Sequence, residues 1–153
     1  MNIEYIKAKL ADISLMQTLV NPEVDSGIIL VRTDDEIATN IRSYTLALMD
    51  GKLVGFCALH IHTPSLAEIR SLIVKDSLRG RRIGEGLVSA ALEEADTLGL
   101  QKVLVLTYKQ SFFERLGFIE ISKESLPEHK IWADCIKCKH FPICNEVSLI
   151  KHL

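Results

Sequence analysis

A mixed α/β (α+β) fold, one sheet with helices on both faces, is what this sequence predicts. Three observations predict it. Apolar runs on either side of Asp50-Gly51 mark an antiparallel hairpin. The apolar run Leu72-Ile73-Val74 leads through an arginine- and glycine-rich stretch into apolar residues at helical spacing, which reads as a strand–loop–helix unit. Strand and helix signals succeed one another as βααβββαβαβ along the chain, the order of a mixed layered sheet. With 153 residues and no repeat, low-complexity tract or long linker, the chain reads as one domain, 1–153. Within it, 125–153 form a cysteine-containing extension.

Ile3 to Lys7 reads as a first strand. Asp12 can cap a helix to about Val20, with Ile13, Met16, Leu19 and Val20 at helical spacing. Ile28 to Val31 is a short apolar run in a connection. Thr33-Asp34-Asp35-Glu36 is a capping box, since Thr33 can accept the Glu36 N–H and Glu36 can reach back; a helix to about Arg42 comes next. Tyr44 to Met49 and Leu53 to His62 are the hairpin strands, because Asp-Gly tolerates the positive φ of a tight turn. After Pro64, Ala67 to Val74 is another strand. A helix runs from about Gly84 to Leu98, its stripe Leu87, Val88, Ala91, Leu92 and Ala95, ended by Gly99. Val103 to Leu106 is a short buried strand and Phe112 to Leu116 a short helix stopped at Gly117. Phe118 to Ile121 is the last clear strand.

Composition excludes several classes. Hydrophobic residues at 48% and charged ones at 25% fit a globular protein. A net charge of −2 gives no general pull toward nucleic acid. No apolar run nears the ~20 residues that span a bilayer, and Met1 to Tyr5 lacks a signal-peptide layout. The expectation is a cytoplasmic protein with no nucleic-acid or membrane partner, its cysteines reduced. A homodimer is compatible with the sequence, which does not fix the oligomeric state.

Arg79-Gly80-Arg81-Arg82-Ile83-Gly84-Glu85-Gly86 stands out against this acidic background. Glycines let a backbone approach a ligand closely. A helix start offers free N–H groups and a positive dipole end, and arginines add paired donors. The combination is a pyrophosphate cradle. It lacks the Gly-Lys-Ser/Thr of a Walker loop. A dinucleotide fingerprint fits poorly, because Ser89 stands at the third glycine position.

Arg81-Arg82-Ile83-Gly84-Glu85-Gly86 resembles Gln/Arg-x-x-Gly-x-Gly/Ala, the coenzyme A loop of the GNAT acetyltransferase superfamily. Phe113 to Phe118 resembles that family's late Tyr/Phe-x-x-x-Gly-Phe motif, and the element order agrees from the first strand to about Ile121. A narrower resemblance is to the short N-acetylglutamate synthases of bacterial arginine biosynthesis. It is carried by Gly27 to Arg32, Ala67 to Leu72, Leu106-Thr107-Tyr108, Leu126-Pro127, and the tail Cys135-x-x-Cys138 with Phe141-Pro142-x-Cys144-x-Glu146.

The resemblance implies a GNAT fold of about six or seven strands and acetyl transfer from acetyl-CoA to an amino acid, glutamate in the narrower reading. Leu72, Ile73, Val74, Arg79, Arg81, Arg82, Ile83, Gly84, Glu85, Gly86 and Phe113 would hold the cofactor, in a family whose strand before the loop splays open to take the pantetheine arm. Glu68, the one acid within an apolar strand, would be the base that deprotonates the ammonium; a solvated glutamate on an edge strand is the competing reading. His60 and His62, on one strand face, are alternative bases. Phe113 stands where many family members carry a tyrosine acid, so either Tyr108 serves or the thiolate leaves unaided. Arg32, Arg70 and Lys109 are the candidates for two substrate carboxylates. Rival readings are acetylation of a protein N-terminus or a polyamine, and a non-catalytic coenzyme A sensor.

Cys135-x-x-Cys138-x5-Cys144 has ligand-like spacing, with His140 or His129 as a fourth zinc ligand. It lacks a second Cys-x-x-Cys, so the expectation is no metal and reduced thiols. Cys57 reads as a core residue.

Overall fold

A computed structural model of the chain describes residues 2–25, 32–122 and 147–153. A seven-stranded sheet runs in the order β1-β2-β3-β4-β5-β7-β6. Its strands are β1 (Ile3–Lys7), β2 (Tyr44–Met49), β3 (Lys52–Ile61), β4 (Leu66–Val74), β5 (Lys102–Thr107), β6 (Ile119–Ile121) and β7 (Val147–His152). Pairing is antiparallel throughout except between β4 and β5. The helices are α1 (Ile13–Asp25), α2 (Asp34–Thr39), α3 (Ile83–Leu98) and α4 (Gln110–Arg115). The mixed α/β class expected from sequence is the observed one.

Each face of the sheet carries a core. On one face Leu87, Val88, Ala91 and Ala95 of α3 pack on Ala67, Ile69, Val103, Val105 and Leu149. On the other, Met16 and Val20 of α1 and Ile37 of α2 pack on Tyr44, Leu46, Phe56 and Ile73. The stripe that sequence spacing predicts on α3 is therefore the buried one. Cys57 lies in the α3-side core; burial pushes its thiol up to about 12, and its Sγ lies 3.7 Å from the Leu87 carbonyl oxygen.

Local signals account for several ends. Thr33 Oγ1 accepts the Glu36 N–H and a Glu36 carboxylate oxygen accepts the Thr33 N–H, each at 3.1 Å, so the capping box starts α2 where expected. Asp50 and Gly51 both have positive φ between β2 and β3, and Gly99 at φ 87° ends α3. Larger differences lie at α1, α2 and the C-terminal strand. Helix α1 runs past Val20 to Asp25, through Pro22, at the loss of one backbone bond. Helix α2 stops at Thr39, where the Asn40 side chain donates to the Glu36 carbonyl at 2.9 Å, and a separate 3-10 turn covers Ile41–Ser43. Strand β7 has no counterpart in the sequence pattern, where Ile121 ends the last clear strand. It pairs with β5 through Leu106↔Ser148 and with β6 through Ile121↔Ser148, so the end of the 125–153 extension lies inside the sheet.

Two irregularities in β4 shape the region beside its C-terminal half. Ile73 pairs with Phe56 and Arg70 with Ala58, so Ser71 and Leu72 together oppose Cys57, with Ser71 at φ 57°. The bulge returns Ile73 to the sheet face of Arg70. Pairing between β4 and β5 covers only Leu66↔Lys102, Ala67↔Val103 and Glu68↔Leu104, and beyond Glu68 the two parallel strands part.

Gly55, paired with Val74, lies under this bulge. A Cβ on Gly55 would stand 2.7 Å from the Ile73 carbonyl oxygen, a backbone atom with little room to yield. Gly55→Ala is therefore expected to cost about 1–3 kcal/mol, read as a lower midpoint in denaturant. An unchanged midpoint would mean that the bulge is free to shift.

No helix among the described residues is long and apolar enough to cross a membrane.

Candidate active site

The cradle predicted from Arg79 to Gly86 sits between the end of β4 and the start of α3. Gly80 at φ 86° and Arg82 at φ 63° are both left-handed, which turns successive N–H groups toward one concavity. Gly80 has open space around its Cα, so it serves backbone conformation alone. Arg82 pays roughly 1–2 kcal/mol for the same geometry. No side chain caps α3, and its first helical bond is Gly86 N–H to the Arg82 carbonyl at 3.0 Å. The N–H groups of Ile83, Gly84 and Glu85 are thus spare for a ligand, at the positive end of a 16-residue helix. Arg79, Arg81 and Arg82 are exposed around them, Arg79 with its guanidinium 3.1 Å from Asp76.

The glycines inside α3 serve purposes the sequence did not separate. A Cβ on Gly84 would meet Phe112 and Val74 at ordinary contact distance. A Cβ on Gly86 would collide with the Tyr5 phenol, so Gly86 makes room for β1 rather than for a ligand. Burial, and then Glu85, push the Tyr5 phenol up. Lys7 pairs with Glu94 at 3.0 Å and ties the same strand to α3. Phe113 is 2% exposed in the α3-side core, edge-on to Phe112 and Phe118. The aromatic ring at the loop is Phe112.

Spare N–H groups, three guanidiniums and a parted strand fit an extended, phosphate-bearing ligand such as coenzyme A. From Ile69 to Val74, β4 has no strand partner on its β5 side among the described residues. An extended chain can pair with such an edge, and Leu72, Ile73 and Val74 lie along it.

At the root of this split lies Glu68. Ala67 and Ile69 belong to the α3-side core, so Glu68 and Arg70 point to the opposite face. Glu68 is 1% exposed in the middle of the sheet, which overturns the solvated edge-strand reading. Its Oε1 lies 2.8 Å from Nε2 of His62, both side chains 2% exposed. The His60 ring packs edge-on against His62 at 4.8 Å between centroids, and His60 pairs with Glu68 across β3 and β4. The two histidines named as alternative bases therefore surround the glutamate.

Sequence reasoning missed Tyr44, which shares a sheet face with Arg70 through Ala58, the register partner of both. Its phenol is pushed up by burial, held back by the Arg32 and Arg70 guanidiniums, and raised further by Glu36. Tyr44 packs edge-on against Phe56 at 5.9 Å. Gln17 of α1 donates to the Arg32 carbonyl at 2.8 Å and fixes that segment. Only the aromatic at the start of a strand signalled Tyr44, which is too common a feature to single it out. Lys109 is exposed past the end of β5. Tyr108 is 43% exposed beside it, just beyond the strand that forms the other wall of the split. Cys135, Cys138, Cys144, His129, His140, Gly27 to Val31 and Leu126-Pro127 lie outside the described residues. Among the described residues no group of histidines, cysteines and carboxylates could hold a metal ion.

Comparison with known proteins agrees with this geometry. The family model for acetyltransferases (GNAT) matches residues 14–118. An uncharacterized N-acetyltransferase of Chlorobaculum tepidum is 38% identical over 146 residues, 95% of this chain and 94% of its own. An amino-acid acetyltransferase of Mycobacterium tuberculosis is 45% identical over 71 residues, 46% of this chain, and the match covers only 41% of that protein. The N-acetylglutamate synthase of Neisseria gonorrhoeae, solved with coenzyme A and N-acetyl-glutamate, superposes with a TM-score of 0.88 at 24% identity. It aligns over the whole of this chain and 35% of its own, and at that identity the likeness is one of fold.

Proposed function

Because the chain belongs to the acetyltransferase (GNAT) family, we propose that it is an amino-acid N-acetyltransferase acting on L-glutamate in the cytoplasm, at the first step of arginine biosynthesis. The observation that carries this reading is the one sheet face shared by buried Glu68, Arg70 and Tyr44, against which α1 and α2 pack, with Arg32 held to α1 just before α2. Two guanidiniums beside a base suit an acceptor with two carboxylates and one amine. A polyamine would call for carboxylates in the same places.

Acetyl-CoA, when bound, supplies the acetyl group as a thioester. The N–H groups of Ile83, Gly84 and Glu85 would hold its pyrophosphate, with charge from Arg79, Arg81 and Arg82. The free edge of β4 at Leu72 to Val74 would take the pantetheine arm, and Phe112 would flank the loop. Glu68 takes a proton from the acceptor's ammonium, leaving a lone pair for attack. Tyr44, kept neutral by burial, remains a hydrogen-bond donor beside the arginines. A backbone N–H near Ile73, just past the bulge, would meet the developing oxyanion, an interaction typically worth about 3 kcal/mol. Phe113 has no proton to give, so either Tyr108 protonates the thiolate or it leaves unaided, which a thiol pKa near 8–9 allows.

Thiol release from acetyl-CoA, measured with each amino acid, with polyamines and with short peptides, tests the reading. Glutamate is expected to show the highest kcat/KM. A preference for polyamines or peptide N-termini would reassign the acceptor, and no release with any amine would favour a coenzyme A sensor.

A further inference from the structure

We infer that His62 is a positioning residue that aims Glu68 and keeps it ionised. The inference rests on the reading of Glu68 as the base.

Oε1 of Glu68 and Nε2 of His62 are 2.8 Å apart with both side chains 2% exposed. Two bare lone pairs at that distance would repel, so a proton lies between them. With Glu68 as carboxylate, Nε2–H donates to Oε1. The bond does two things for a base. It fixes the carboxyl plane, and with it the direction from which the carboxylate meets the acceptor's ammonium. It also supplies a hydrogen bond that favours the charged form of a buried carboxylate. The fold fixes the imidazole itself: His62 stands just past the end of β3, its N–H bonded to the Leu66 carbonyl at 2.9 Å, with the His60 ring edge-on against it. The other charged and titratable groups that the register places on this sheet face are His60 on β3, Arg70 on β4, Tyr44 on β2, Glu4 on β1, Lys102 on β5 and His152 on β7, with Arg32 and Glu36 beside and within α2.

Substitutions at His62 separate this role from simple packing. Gln places a neutral donor where Nε2 stands, whereas Leu fills the space with none. His62→Leu is expected to lower kcat about tenfold or more, within the range of general-base effects, and His62→Gln to stay within about threefold of the unaltered protein. Coenzyme A affinity should hold in both. Infrared difference spectra at neutral pH give a second readout that needs no turnover. A protonated-carboxyl band is expected in His62→Leu, absent in His62→Gln and removed when Glu68→Gln is added. Should His62→Leu not fold, His62→Asn, too short to reach Glu68, takes its place with the same expectations. Full activity in His62→Leu, equal impairment by Leu and Gln, or no carboxyl band overturns the proposal. Full activity in Glu68→Gln instead overturns the reading of Glu68 as base; the infrared comparison still decides whether His62 sets its ionisation.

Discussion

Glu68→Gln lowers kcat about 10²–10⁴-fold at neutral pH and leaves coenzyme A affinity nearly intact. The size comes from what the side chain does and where it sits. An α-ammonium has no lone pair, and the amide of Gln cannot take its proton. Glu68 is 1% exposed, so bulk water does not readily replace it at the root of the split. The cradle that would hold coenzyme A lies beyond Val74, at the opposite end of β4 from Glu68, so binding and proton transfer are separable. Steady-state kinetics with glutamate, beside calorimetric titration of coenzyme A, gives both numbers. Unchanged kcat would remove Glu68 from the chemistry; lost coenzyme A binding would make its role structural.

Arg32→Ala and Arg70→Ala are each expected to raise the KM for glutamate by about 10- to 100-fold, with kcat changed far less. A hydrogen bond to a charged group contributes about 1.5–3 kcal/mol, which is that range. Both would contact the same small substrate, so their effects should not add. The double variant should also lose preference for glutamate over glutamine, since an amide can replace one carboxylate at little further cost. An unaltered KM in either single variant would move the carboxylate contact elsewhere. Lys109 would then need testing.

Elements governed by local chemistry could be read from the chain. The Thr33 and Glu36 box, the Asp50-Gly51 turn and the α3 stripe each depend on residues within a few positions of one another, and each is where its residues predicted. The left-handed turn at Gly80 and Arg82 and the uncapped start of α3 are local in the same way. Strand β7 is not: its six residues have a mixed pattern, and what makes them a strand is a slot between β5 and β6 that only the tertiary fold creates. Glu68 illustrates the other limit. An acid within an apolar run marks something unusual, but whether it lies at an edge or at the centre depends on strand order. Its histidine partner was visible only as a spacing. Phe112 and Phe113 show that even a recognised motif leaves one residue's direction undecided, because adjacent side chains on a short helix face different ways.

The slot filled by β7 also has a consequence for assembly during synthesis. When β6 has emerged, β5 and β6 present two facing strand edges with their natural neighbour still to come. Apolar residues such as Leu104 and Ile119 stand on those edges, and Ile119 remains 63% exposed even in the finished fold. Parting strands on one side of β5 and an absent neighbour on the other leave the nascent sheet held mainly through β1 to β4. Such an intermediate invites pairing with foreign strands. The late arrival of a single six-residue strand thus marks the stage at which this chain would most benefit from a chaperone.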